Sequence, residues 1–315
     1  MSLHPHIRQA VDAAAALPAY DTLPSMAEVR ALANAGNPPR ANPVTVASVD
    51  TFSIPGPAAD IPVRLYRPSA AGRLPALVYL HGGGFVALGL DSHDDICRRL
   101  CTGAGCLVLS VDYRLAPEHR CPAGADDALA ATLWLAQQAD RLGLDPARIV
   151  VGGDSAGGCL AAVTAMRLRD RPTGDRAEGL QLAGQLLFYP VTDHPSPPPP
   201  SWDRYGSGWG LTARVMRWFW DQYLAAPGQR DDPLASPARM ARCAGLPPAY
   251  VMVAEYDLLR DEGQAFADRL AAEGVTTRFR LSAGVNHGFL KYAGTVPESD
   301  ATLADASDWL RSLWR

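Results

Sequence analysis

The sequence predicts an α/β fold built on an eight-stranded, mostly parallel sheet flanked by helices. Four nearly continuous apolar runs carry that expectation: Ala76–Leu80, Cys106–Val111, Ile149–Gly152 and Gln185–Tyr189. Stretches with helical periodicity, such as Asp126–Arg141 and Gly157–Arg169, separate them. Strands apolar on both faces and spaced by helices belong to a parallel sheet that is covered on both sides. The third observation is compositional. Of 315 residues 48% are hydrophobic and 20% charged, with 29 basic against 33 acidic groups. That balance is too apolar for a disordered chain and too even for a nucleic-acid-binding surface.

Ahead of these runs, Val46–Ile54 and Ile61–Arg67 alternate in polarity around Pro55, Gly56 and Pro57, the pattern of an antiparallel hairpin. Behind them, Tyr250–Ala254 and Thr276–Leu281 supply two more strands, with a helix over Glu262–Ala272 between them and a last helix near Glu298–Leu313. Two regions break the alternation. Residues 1–43 are helical and then rich in Pro and Asn, with Asp12–Leu17 reading as part of a helix. Residues 194–245 open on Pro195 and the run Pro197–Pro200, which favours a stiff extended segment. Trp202, Tyr205, Trp209, Trp218, Phe219, Trp220 and Tyr223 follow, as in a small helical subdomain inserted between strands. The expected division is therefore a core of 44–193 and 246–315 with two additions.

Targeting signals are not apparent. Met1–Ala19 has no basic cluster before a long apolar segment, and no run approaches the ~18 apolar residues that cross a bilayer. Cys97, Cys101 and Cys106 lie close together, but no His or acid completes a zinc spacing, so they read as small buried hydrophobes. A reduced, cytoplasmic protein without a metal is expected.

Chemistry concentrates at three places. Gly153-Asp154-Ser155-Ala156-Gly157 matches the G-x-S-x-G nucleophile elbow, directly after one strand and directly before a helix. Such a turn pushes the Ser155 hydroxyl out at the carboxyl edge of the sheet. His81-Gly82-Gly83-Gly84-Phe85 follows the third strand, where glycines leave backbone N–H groups free to converge on an oxygen. No Lys or Ser/Thr follows at the spacing of a phosphate loop. A serine nucleophile needs a base after it in the chain, and only His194 and His287 qualify. His194 belongs to the insertion, which leaves His287, in Asn286-His287-Gly288-Phe289. For the acid, Asp257 lies just past a strand end and is preferred, with Glu255 as a rival. Asp261 and Glu262 read as first-turn acids that complement a helix dipole. Arg114, Glu118 and His119 read as a buried polar network bracing the glycine loop or the elbow, and Asp154 as support for the serine.

Together these residues resemble the hormone-sensitive-lipase-like family of α/β-hydrolases, bacterial carboxylesterases with an HGGG loop and a GDSAGG elbow. The likeness spans roughly residues 45 to 295, taking in HGGGF at 81–85, Asp112-Tyr113-Arg114-Leu115-Ala116-Pro117-Glu118-His119, the elbow with Gly158, Tyr189-Pro190, Leu246-Pro247-Pro248 and the Asp257–Gly263 segment. Leu258 stands where the family often has Pro, and Cys121 where an aromatic is common. The resemblance implies Ser155, Asp257 and His287 as a triad, and the N–H groups of Gly83, Gly84 and Ala156 as an oxyanion hole. It implies a helical cap made of residues 1–43 and 194–245, and it suggests a homodimer through the edge strand near Thr276–Leu281. The expected reaction is hydrolysis of short- to medium-chain carboxylic esters by an acyl-enzyme route, with no cofactor. Phe85, Trp202, Trp209, Phe219 and Trp220 are candidates for the pocket wall. An amidase, a lactonase or an aryl-acyl esterase would use the same triad. A binding-only member of the fold would lack the histidine, and a peptidase would need a further domain.

Overall fold

The computed structural model describes residues 2–70, 72–171 and 180–315. The chain begins with α1 (Pro5–Ala14) and α2 (Met26–Ala35). Proline at the first position of α1 costs no hydrogen bond, and at α2 the Ser25 hydroxyl accepts the Glu28 N–H at 3.3 Å. Helix α1 starts earlier than the Asp12–Leu17 expectation and stops at Ala14. Then come β1 (Ser48–Ile54), β2 (Ile61–Arg67), β3 (Leu74–Leu80), α3 (Asp94–Ala104) and β4 (Leu107–Val111). Next are α4 (Ala123–Gln137), the single turn α5 (Ala139–Leu142), β5 (Leu144–Asp154), α6 (Ala156–Arg169) and β6 (Gly184–Phe188). The expected 126–141 helix is thus two helices. The segment that begins at residue 194 carries α7 (Pro200–Tyr205) and α8 (Ala213–Tyr223), the latter capped by Thr212 accepting the Val215 N–H. The chain closes with β7 (Ala249–Tyr256), α9 (Arg260–Ala272), β8 (Thr277–Asn286) and α10 (Pro297–Leu313).

The eight strands form one sheet in the order β1-β2-β4-β3-β5-β6-β7-β8. Strand β2 pairs antiparallel with both β1 and β4, while every pairing from β4 to β8 is parallel. Alternation along β3 shows how the sheet divides the interior. Ala76, Val78 and Leu80 join one apolar cluster with α4, α6, α8 and α9, and Leu77 and Tyr79 join another with α1, α3 and α10. Because the strands run parallel, β3, β5, β6, β7 and β8 all release their following loops at one edge. That carboxyl edge is where open α/β sheets assemble their sites.

Candidate active site

Strand β5 ends in a turn tight enough to leave Ser155 at φ 57°, ψ −120°, a left-handed backbone that a non-glycine residue rarely adopts. The turn is held from both sides: Ser155 N–H donates to the Phe188 carbonyl at 2.9 Å, and its own carbonyl accepts the Val191 N–H at 3.1 Å. It closes only because Gly157 has no side chain, since a Cβ there would lie 1.9 Å from the Leu80 carbonyl oxygen. Strand β7 delivers Asp257, whose Oδ1 accepts the Leu259 N–H at 2.9 Å in the turn leading into α9. Strand β8 delivers His287. Its Nδ1 stands 2.7 Å from Asp257 Oδ2, and its Nε2 stands 2.8 Å from Ser155 Oγ. A carboxylate only accepts, so Nδ1 donates to Asp257, and in the neutral form of the ring that leaves the Nε2 lone pair facing the serine hydroxyl. Glu255 points elsewhere, accepting the Gly284 N–H at 2.7 Å.

The glycine loop lies beside the serine. Among the described residues the N–H groups of Gly83, Gly84 and Ala156 donate to no backbone or side-chain acceptor of the chain, and Ala156 is the first residue of α6. Asp154 braces this arrangement, accepting the Tyr79 hydroxyl at 2.9 Å, the Gly82 N–H at 3.0 Å and His93 Nε2 at 3.1 Å. Burial alone would raise the Asp154 carboxyl, but His93 and the Tyr79 hydroxyl hold it below the usual carboxylate range. His81 is pushed down to about 4, chiefly by burial and then by His93, so it stays neutral. It donates from Nδ1 to the Gly82 carbonyl at 2.7 Å and stacks on Tyr113, whose hydroxyl donates to the His81 carbonyl.

The alpha/beta hydrolase fold family matches residues 77–291. The chain belongs to that family. Over 272 residues this hydrolase is 43% identical to the Mycobacterium tuberculosis carboxylic ester hydrolase LipN, covering 86% of this chain and 70% of the relative. It is 43% identical over 251 residues to the ethyl acetate hydrolase of Pseudomonas putida, covering 77% and 76%. The hyperthermophilic esterase from Pyrobaculum calidifontis superposes with a TM-score of 0.89 at 39% identity, covering 99% of both chains. These relatives agree with the hormone-sensitive-lipase-like carboxylesterase branch that the HGGG and GDSAGG motifs pointed to.

Other expected residues of the hydrolase fall in different places. Phe85 stacks on Tyr223 with ring centroids 3.8 Å apart, and Trp220 lies 6.2 Å from it. Phe219 covers the glycine loop, its ring 2.4 Å from where a Gly84 Cβ would be. Trp202 is buried in the same cluster with Arg217 over its ring. Trp209 sits in the other cluster, flat against Tyr256. The expected Arg114–Glu118–His119 network does not exist as one buried group. Arg114 makes a bidentate pair with Asp127 of α4, Glu118 is exposed and takes Arg30 of α2 at 2.6 Å, and His119 is exposed. The loop sends its polar groups in different directions, Arg114 to α4, Glu118 to α2 and Arg120 to the carbonyls at the end of α8, which local sequence does not encode. Arg30 does reach the end of the glycine loop, donating to the Val86 carbonyl at 2.9 Å.

Several neighbours of the site were not anticipated. His93 is buried beside Asp154, and its signal was a histidine flanked by acids in a helix-opening segment. Tyr189, at φ 34°, packs its ring 4.8 Å from that of His287, and its signal was the Tyr-Pro pair closing an apolar strand. Glu262, expected only as a first-turn acid that complements the helix dipole, is buried and accepts the Thr192 N–H at 2.9 Å.

Proposed function

We propose that this hydrolase is a serine carboxylesterase acting on short- to medium-chain esters, with Ser155 as nucleophile, His287 as base and Asp257 as orienting acid. The observation that carries the reading is the continuous chain of contacts, 2.8 Å and then 2.7 Å, that joins side chains from three separate strand ends beside unpaired N–H donors. His287 Nε2 takes the Ser155 proton as Oγ attacks the ester carbonyl. The N–H groups of Gly83, Gly84 and Ala156 receive the developing oxyanion, where loss of one donor typically costs about 100- to 1,000-fold in turnover. Collapse of the tetrahedral intermediate expels the alcohol, which takes the proton from His287. Water, deprotonated by the same nitrogen, then frees the acid and regenerates the serine. No step calls for a metal or an organic cofactor.

In this reading residues 1–43 and 194–245 form the cap over a core of 44–193 and 246–315. Phe219 and Trp220 of α8 face the glycine loop and bound the acyl side. The six cysteines, all free and buried, suit a reducing cytoplasm. Among the described residues no helix is long and apolar enough to cross a membrane. A homodimer through β8 is part of the proposal, because that strand ends the sheet with no strand beside it on one side. The test is p-nitrophenyl butyrate hydrolysis by wild type and Ser155→Ala, with folding followed by circular dichroism. The reading requires near-complete loss of turnover in a folded variant. Hydrolysis at the wild-type rate would overturn it.

A further inference from the structure

Trp209 lies between α7 and α8, yet its contacts lead to the strands that carry the acid and the base. Its indole is nearly parallel to the Tyr256 ring, with centroids 4.5 Å apart and planes at 7°. Its backbone carbonyl accepts Asn286 Nδ2 at 2.7 Å. Tyr256 and Asn286 face each other as the last rung of the β7–β8 ladder, beyond an irregularity after Ala254. Asp257 follows the first of them and His287 the second. One cap residue therefore fastens both halves of the rung from which the acid and the base depart.

Further contacts converge on the same indole. Gly210, at φ 112°, lets the cap backbone close on Asn286, since a Cβ there would lie 2.5 Å from Nδ2. Among the described residues the buried Asn286 amide bonds the Trp209 carbonyl and nothing else. Arg8 of α1 donates to the Gly208 carbonyl at 2.9 Å and sets its guanidinium 5.0 Å from the indole centroid. Tyr205 stands edge-on to both Trp209 and Tyr256. The N-terminal helix, the cap and the strand ends meet here, away from the Phe85–Phe219–Trp220 cluster.

The physical need is clear. Strand β8 has a partner strand on one side only, with the His4 N–H reaching its Gly284 carbonyl at 2.8 Å, and its final rung lies past an irregular pairing, where ladders hold least firmly. Displacing a catalytic group by about 1 Å can cost on the order of 100-fold in rate. We propose that Trp209 is a positioning residue: by clamping Tyr256 and Asn286 it keeps the Asp257–His287 pair in line with Ser155, so that seating the cap aligns the base. The inference rests on the triad reading above. His287 serves both acylation and deacylation, so a misaligned base lowers kcat whichever step limits turnover.

Steady-state hydrolysis of p-nitrophenyl butyrate and the rate of Ser155 phosphonylation by a small alkyl p-nitrophenyl phosphonate test it. Trp209→Ala lowers kcat and the phosphonylation rate by roughly ten- to 100-fold and leaves KM within about two-fold, the split of a transition-state effect. Trp209→Phe restores most of the rate by restoring the stack. Asn286→Ala also lowers kcat, and the double variant with Trp209→Ala loses less than the product of the two, because both act on one rung. Thermal melts establish that each variant is folded. Should Trp209→Ala not fold, Trp209→Leu, which keeps apolar bulk without an aromatic face, takes its place against Trp209→Phe. A rise in KM at unchanged kcat would make Trp209 a pocket wall, and unchanged kinetics with a lower melting temperature would make it packing alone. Either result overturns the proposal while Ser155→Ala stays inactive. Failure of the triad reading is distinct: Ser155→Ala would then be active.

Discussion

Glu262 carries a proton into a pH range where an ordinary carboxylate has none. Burial pushes it up to about 8, against the Thr192 and Asp193 backbone N–H groups that pull it down. A glutamate in the unfolded chain releases its proton near the ordinary value of 4.5. Between those values the folded state binds more protons than the unfolded one, so raising the pH removes stability from about 4.5 up to about 8 and no further. The slope from this one group approaches ~1.4 kcal/mol per pH unit. Asp154 works in the opposite sense and elsewhere: its carboxyl is depressed, so its contribution is present at neutral pH and lost only in acid. Glu262→Gln keeps an oxygen for the Thr192 N–H and cannot ionise. Its melting temperature, followed from pH 5 to pH 8.5, should fall less steeply than that of wild type and lie above it at pH 8. Parallel profiles would refute the assignment. The sequence could not separate Glu262 from Asp261, because both are acids in one first turn. The helix's own rotation sends Asp261 to the Ser201 N–H and Glu262 inward to the β6 loop. Ser155 and His287 were singled out for the converse reason: each stands in a short glycine-bearing motif, Gly-Asp-Ser-Ala-Gly and Asn-His-Gly-Phe, that comes after an apolar run.

At the scale of elements, the interiors of strands were legible and their ends were not. The run Ile149–Gly152 marks the buried middle of β5, whereas the strand spans Leu144–Asp154 because Leu144 pairs with Leu74 across the sheet. The sequence predicts the last strand over Thr276–Leu281, and β8 runs on to Asn286 through Ser-Ala-Gly-Val, which locally reads as loop. Pairing of Tyr256 with Asn286 extends it, and such partners are remote in sequence. The same element supports the proposed dimer. Arg278 and Arg280 of β8 turn back onto α10, pairing with Asp305 and Glu298, and Leu281 beside them is 49% exposed. Charge thus leaves the rim and an apolar side chain stays on an unpaired edge, the combination that invites strand-to-strand association. Light scattering after gel filtration should give twice the chain mass for wild type and a single chain mass for Leu281→Asp. A monomeric wild type would refute the dimer.

At the scale of the whole molecule, the sheet separates two apolar clusters, and the aromatic insertion contributes to both. Its richness in tryptophan was plain in the sequence, as was its break from the strand–helix alternation. Which aromatic faces which cluster was not, because that depends on how α7, α8 and the turn between them lie across the strand ends. Helix α8 brings Phe219 over Gly84 and sets Trp220 near Phe85, which is itself stacked on Tyr223. Tyr20, from the N-terminal segment, lies 5.9 Å from Phe219, and Asp21 pairs with Arg214 of α8 at 2.7 Å. Two distant parts of the chain therefore close the same side of the glycine loop, and in the proposed reading these packed rings bound the acyl site and limit the length of chain that extends past Ser155. p-Nitrophenyl butyrate should exceed p-nitrophenyl palmitate in kcat/KM by roughly ten-fold or more. Phe219→Ala removes the ring that covers Gly84 and should move the optimum toward longer acyl chains, with the butyrate rate falling. A wild-type optimum at palmitate, or a length profile unchanged in Phe219→Ala, would show that α8 does not bound the acyl site.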